Sequence, residues 1–459
     1  MLDLADKNVL VVGFDPRGMA AAGLLRRAGA RVVAVAADEA DVPPATVDDL
    51  RSQGIEVQRG TADALRGHFD LVVLSPEAAP ASAGVAGIAN RDISMIGELE
   101  LGWRLSKCLA VAVSGTNGKG TTAGLIEQML VQNHRTTVRA GHRSNPVGCV
   151  ADQTAALDFL ILQVNALQLQ ATQFFRPAVA VLLNAYPDHG SRFPGNEDLL
   201  AAYGNLFRNQ QVFDWSIVQL EALKQLQSAG ITPPGKIITF SGADQDADLF
   251  LDRGLILSRF PNWEGPLLDM QQCQLRGLHN AENLMAALAV GRALRLPLET
   301  MVETLKQCEH ADHRFQIAGE WRDIQFIDDS KSTNPDALHR ALESARPGEA
   351  GKPNVWVIAG GRDSGGDFHR LSPLVSRRVK GAFLIGEARE KIRSAWGLFT
   401  PCTLMDSLLE AVTEAARNAV PGDVVLLSPA CSSFDQFQDY QERGECFCAA
   451  VKSISSGAV

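Results

Sequence analysis

The chain has 459 residues, 46% of them hydrophobic and 21% charged, with 43 Lys and Arg against 53 Asp and Glu and a formal net charge of −10. At roughly 100–200 residues per domain this length predicts about two to four domains, and the composition excludes disorder, collagen and coiled coil. The acidic balance argues against non-specific binding to nucleic acid or to an anionic membrane, both of which need clustered basic residues, but it leaves room for an anion at one prepared site. The eight cysteines (Cys108, Cys149, Cys273, Cys308, Cys402, Cys431, Cys446, Cys448) show no C-x-x-C and no zinc spacing, so reduced, mostly buried thiols are expected. The acidic start MLDLAD does not read as a signal peptide, and no apolar run approaches the roughly 18 residues of a membrane span. A cytoplasmic protein with no membrane insertion is expected.

In chain order, the apolar run Val9–Val12 is followed by a turn at Gly13, a helix beginning near Gly18 and a second run, Arg31–Val35, ending near Asp38. This is a βαβ pattern of nucleotide-binding type without the strict G-x-G-x-x-G spacing. A further strand, Leu71–Leu74, ends at Ser75-Pro76. A second domain opens with the strand Leu109–Val113, and its further strands fall at Phe159–Leu162 and Val179–Leu183, with a closing helix at His279–Leu294. A third set of strands lies at Phe326-Ile327, Val355–Ala359, Gly381–Ile385 and Val424–Leu427. The expected fold class is therefore α/β in three domains: 1–105, 106–312 and 313–459.

The most informative stretch is Ser114-Gly115-Thr116-Asn117-Gly118-Lys119-Gly120-Thr121-Thr122, between a strand and an apolar-periodic helix. Small residues let backbone N–H groups turn toward a phosphate, the helix N-terminus adds partial positive charge, Lys119 can reach the β- and γ-phosphates, and a hydroxyl can hold Mg²⁺. The spacing departs from G-x-x-x-x-G-K-[ST]: Val113 stands where the first Gly belongs and Gly120 where the metal-binding hydroxyl belongs, with Thr121 one position late. The bland alternative is a Gly-rich turn with a solvent-facing Lys.

Further blocks follow in order: Asn184 with Asp188-His189, Gly277–Asn283, His313-Arg314-Phe315, Asp329–Pro335, Gly360–Asp363 and Ser428–Phe437. Together with the Gly115–Lys119 loop this series resembles the Mur ligases, and the last block, with Glu442-Arg443-Gly444, is similar to the D-glutamate-adding subgroup. The resemblance covers essentially the whole chain. It implies a Rossmann-like N-terminal domain for a UDP-sugar-peptide, a central P-loop-type ATPase domain and a Rossmann-like C-terminal domain for the incoming amino acid. It further implies ATP- and Mg²⁺-dependent joining of D-glutamate to UDP-N-acetylmuramoyl-L-alanine through an acyl phosphate, in peptidoglycan synthesis; separately, a monomer is expected.

The resemblance also implies roles for individual residues. Lys119, His189, Arg314 and Lys331 fall on catalytic positions. Gly115, Thr116, Asn117, Gly118, Lys119, Gly120, Thr121, Asn283, Arg314 and Asp329 fall on ATP-binding positions. Asp15, Arg17, Ser75, Asn145, Thr333, Ser433 and Tyr440 fall on substrate positions, Tyr440 replacing the usual Phe, while Thr121, His189 and Gln163 fall on metal positions. A structural His189, an ion pair made by Arg314 and a plain surface turn at Asp15-Pro16-Arg17 are the alternatives.

Four departures touch the chemistry. Gln163 stands where the family has a metal-binding Glu, and Tyr203, 14 residues after His189, stands where it has a carbamylated Lys. Gly120 removes the usual hydroxyl, and Ser364 replaces a Lys or Arg expected to pair with the substrate carboxylate, a task Arg362 can take over from another direction. A weakened or inactive homologue that binds nucleotide or UDP-sugar-peptide in a regulatory role is one alternative to a working ligase. A ligase for a different acid is another.

Overall fold

The computed structural model describes residues 2–36, 44–58, 67–78, 93–186, 192–193, 195–308, 313–363 and 365–455. Three sheets organise it. Residues 1–185 with 195–308 form one compact unit and residues 186–194 with 309–459 a second.

The first sheet is wholly parallel, in the spatial order Glu56–Gln58, Arg31–Val35, Asn8–Val12, Leu71–Leu74, Met95–Gly97. Its inner strands are continuous apolar runs because helices cover both faces of a parallel sheet. The strand order reverses beside Asn8–Val12, so the crevice at the carboxyl ends of Asn8–Val12 and Leu71–Leu74 is the place where such sheets bind ligands. Asp15 and Ser75 follow those two strands directly.

The second sheet, in the same unit, has nine strands. Leu109–Ser114 lies between Phe159–Gln163 and Val179–Leu182, all parallel. Beyond Lys236–Ser241 the sheet is extended by Leu249–Asp252, Leu255–Ser258 and Gly265–Asp269, the last two added antiparallel; this extension is absent from the sequence reading because its strands are short and closely broken by turn residues. The predicted closing helix is found as Leu278–Ala293, with Asn283, Leu284 and Leu288 among its many buried residues. A Cβ on its Gly291 would meet Met301 Sδ at 2.0 Å, so the adjoining helix Leu298–Gln307 packs flush against it.

Within this first unit the two sheets are joined closely. A Cβ on Gly102 would fall 2.4 Å from Val147 Cγ1, and one on Gly148 would fall 2.6 Å from the Ala20 carbonyl oxygen. Arg27 Nε donates to Asp152 Oδ2 at 2.6 Å, and Arg27 Nη2 donates to the Gly148 carbonyl at 2.8 Å.

The second unit holds a six-stranded sheet in the order Gln316–Trp321, Ile324–Asp328, Val424–Leu427, Val355–Gly360, Val379–Ile385, Cys402–Leu404, parallel except for the first pair. The helix Tyr440–Ser455 buries Arg443, Gly444, Phe447 and Val451. All eight cysteines are free thiols; Cys273, Cys308 and Cys431 are buried, whereas Cys149 and Cys446 are exposed, correcting the expectation of mostly buried thiols. Among the described residues no helix is long and apolar enough to cross a membrane.

Candidate functional site

The strand Leu109–Ser114 runs straight into the loop Gly115–Gly118 and the helix Lys119–Gln132. Gly115 and Gly118 adopt φ of 132° and 88°, a region that L side chains enter only with strain. A Cβ on Gly118 would also lie 2.5 Å from Asn283 Oδ1. No side chain caps the helix at Gly118, and the positive end of the helix dipole there favours an anion.

Neighbouring side chains hold this loop. Asn184 Oδ1 accepts from Asn117 N–H at 2.9 Å while Asn184 Nδ2 donates to the Asn117 carbonyl at 3.1 Å. Lys119 Nζ donates to the carbonyls of Gly115 and Thr116 at 2.6 and 2.9 Å. The ammonium thus rests on the loop that would meet the phosphates. Asn283, predicted to contact nucleotide, is buried beneath the helix: its Oδ1 accepts from Thr122 Oγ1 at 3.1 Å, and its Nδ2 donates to Asn280 Oδ1 at 3.2 Å. Thr121 is half-buried in the first helical turn.

Gln163 ends its strand opposite Val113 and so flanks the loop. Tyr203, from the helix Asn196–Gly204, is 2% exposed, and its hydroxyl shares a 3.3 Å hydrogen bond with Thr116 Oγ1. In the sequence Tyr203 stands only as a lost lysine, since no local signal ties it to a loop 87 positions earlier.

At the crevice of the first sheet, Asp15 caps the helix Pro16–Arg27, its Oδ1 accepting from the Arg17 and Gly18 amides at 2.7 and 3.2 Å, while its Oδ2 accepts from Ser75 Oγ. The predicted substrate residues Asp15 and Ser75 are therefore brought together. Arg17 points to a buried cluster that sequence reasoning missed. Its Nε lies 3.9 Å from Glu98 Oε1, and Glu98 Oε1 accepts from Gln168 Nε2 at 2.7 Å. Gln168 also makes a capping box with Asn165. Burial raises the Glu98 pKa to about 7 against the opposing pull of Arg17, because desolvation disfavours the carboxylate. Asn145 is exposed, donating from Nδ2 to the Arg139 carbonyl at 2.7 Å.

The second unit gathers another set. Asp329 accepts from Ser332 Oγ, Ser428 Oγ and the Phe315 amide at 2.5, 2.8 and 3.2 Å. Burial nonetheless lifts its pKa to about 7, with Arg314 among the opposing influences. Asp328 accepts at 2.7 Å from His313 Nδ1. Lys331 Nζ stands 3.5 Å from the centroid of the Tyr440 ring, a cation–π contact, and the Tyr440 carbonyl accepts from Ser330 Oγ at 2.8 Å. Thr333 is half-buried and Ser433 buried. Arg443, quoted in the sequence only as part of a motif, is buried and donates to Ser330 Oγ and to the carbonyls of Ser330 and Cys431. Burial lowers its pKa to about 10. Arg362 Nε lies 3.5 Å from Glu387 Oε2 in an exposed pair. Asp38, Asp188, His189 and Ser364 lie outside the described residues.

Residues 113–291 match the Mur ligase middle domain, and residues 313–431 match the Mur ligase glutamate ligase domain. A UDP-N-acetylmuramoylalanine--D-glutamate ligase from Acidobacterium capsulatum is 34% identical, over 97% of this chain and 96% of its own. A protein of the same name from Geotalea uraniireducens is also 34% identical, over the full length of both chains. Among solved structures, MurF ligase from Thermotoga maritima in complex with ADP superposes with a TM-score of 0.61 at 15% identity, covering 100% of this chain and 97% of that one. The UDP-N-acetylmuramate-alanine ligase MurC of the same organism gives 0.59 at 18%, covering 98% and 99%.

Proposed function

This chain belongs to the Mur ligase family, and from that premise we infer that it joins D-glutamate to UDP-N-acetylmuramoyl-L-alanine at the expense of ATP, in peptidoglycan synthesis. The observation that carries the reading is the loop Gly115–Gly118 leading into the helix Lys119–Gln132, whose positive-φ glycines, helix start without a side-chain cap and Lys119 ammonium suit a nucleoside triphosphate. In this reading residues 1–105 take the UDP-substrate, 106–312 ATP and 313–459 the amino acid.

The substrate carboxylate attacks the γ-phosphorus, ADP leaves, and an acyl phosphate results. The amine of D-glutamate then adds to the acyl carbon, and the tetrahedral intermediate expels phosphate and loses a proton to form the amide. Lys119 exchanges the loop carbonyls for phosphate oxygens and stabilises the charge that builds there. Bound Mg²⁺ would neutralise phosphate charge, and Thr121 offers a hydroxyl to hold it. Within the second unit Arg314 and Lys331 are the cationic groups, Asp329 orients the serines around it, and Thr333, Ser433 and Tyr440 receive D-glutamate. Arg17, Ser75 and Asn145 receive the UDP-substrate. Asp15 acts there indirectly, by fixing the turn that presents Arg17. With ATP as one substrate, the reaction belongs to the cytoplasm, and light scattering checks the expected monomer.

Phosphate release from MgATP, measured with UDP-N-acetylmuramoyl-L-alanine and D-glutamate, tests the reading. Release that requires both acceptors is expected. Release with another amino acid and none with D-glutamate would overturn it.

A further inference from the structure

A second cation in a ligase of this kind would need ligands at positions 163 and 203 as well as at 189. The residues present at the first two do not fit one. Gln163 is a neutral amide, whereas a hard divalent ion prefers anionic oxygen. Tyr203 cannot form a carbamate, and its phenol oxygen is already engaged with Thr116 Oγ1 in a site where Tyr203 is 2% and Thr116 5% exposed. Together the two replacements remove two negative charges from beside the loop.

The same geometry shows what Tyr203 does instead. The helix Asn196–Gly204 buries the ring, and the hydroxyl reaches the second residue of the phosphate loop. The carbonyl of that residue accepts from Lys119 Nζ at 2.9 Å. A chain of contacts therefore runs from Tyr203 through Thr116 to Lys119. A neutral hydrogen bond in a dry site holds geometry without the desolvation penalty of a buried charge.

We propose that Tyr203 is a positioning residue that secures the phosphate loop through Thr116 in place of a bridged second cation, so that the enzyme works with the nucleotide-borne cation alone and without carbon dioxide. This rests on the nucleotide-binding reading of the loop given above.

The test uses the full-length protein saturated with a non-hydrolysable ATP analogue and titrated with Mn²⁺, free Mn²⁺ being followed by electron paramagnetic resonance. One bound Mn²⁺ per chain is expected, and two would overturn the proposal. Tyr203→Phe, which keeps the buried ring, should weaken analogue binding by about 3- to 10-fold, the range for loss of one neutral hydrogen bond. Thr116→Val should do the same, and the double variant should be no weaker than either single one, the mark of a shared interaction. Fully additive losses, or losses that follow the melting temperature alone, contradict the positioning role. The ligase rate should be equal in bicarbonate-supplemented and carbon-dioxide-free buffer; a bicarbonate-dependent rate refutes the proposal. Absence of phosphate release under every condition would instead count against the ligase reading, since the Mn²⁺ count and the double-mutant comparison do not depend on turnover.

Discussion

The phosphate loop of the first unit and the Asp328–Asp329–Arg443 cluster of the second solve opposite problems with opposite materials. Around the loop, neutral groups do the holding: Asn184, Asn283, Thr122, Thr116 and Tyr203, with Lys119 as the cation. Its glycines at positive φ and the helix start at Lys119, which no side chain caps, suit an arriving anion. In the cluster, charges are buried and each is satisfied mainly by neutral dipoles: Arg443 by two carbonyls and a serine, Asp329 by two serines and an amide. Burial pushes the Asp329 pKa up and the Arg443 pKa down. The difference teaches that the loop is built to be occupied, whereas the cluster is built to hold its own chain segments together and is sensitive to pH.

The largest effect that would sharpen this contrast is on stability. Arg443→Met leaves the Ser330 and Cys431 carbonyls unpaired, and the second unit should lose about 3–5 kcal/mol, read from its transition in urea; a loss well under that range would show the guanidinium to be dispensable. Next, Lys119→Ala should leave the melting temperature unchanged while lowering kcat/KM for ATP by about 2–4 kcal/mol, and a mainly structural defect would break the assignment of the loop to an anion. Gly118→Ala introduces a Cβ at positive φ against Asn283 and should weaken ADP binding by about 1–2 kcal/mol in calorimetry.

The mildest test concerns pH. Asp329 and Glu98 both bind their proton more tightly when folded, at about 7, than at their ordinary values of 3.8 and 4.5. Their stabilising contribution is therefore fully present below those ordinary values and is lost as pH rises through about 7, with a slope of at most about 1.4 kcal/mol per pH unit for each group. Asp329→Asn should flatten this slope in the second unit and Glu98→Gln in the first; unchanged slopes would show that the carboxyls are not the source. Glu98 places the same device in the first unit, but beside Arg17 rather than at the loop.

The loop at Gly115–Lys119 was legible because a strand, a small-residue turn and a helix leave a local, contiguous pattern, and the parallel strands showed as apolar runs such as Val424–Leu427. The extension Leu249–Asp269 was not, since short edge strands have little periodicity to read. Asp15 reads in sequence as a ligand residue, yet its carboxylate is engaged as a helix cap with Ser75, a use that depends on the next strand but two arriving beside it.

The order of residues alone determined the α/β class, the phosphate loop, the family and the losses at Gln163 and Tyr203. Only the tertiary structure decided what fills those losses. Tyr203 reaches Thr116, Glu98 reaches Gln168 and Arg443 reaches Cys431. Backbone patterns are written locally, because helix and strand periods span a few residues. The partners of buried polar groups are set by which distant segments the packing brings within hydrogen-bond reach.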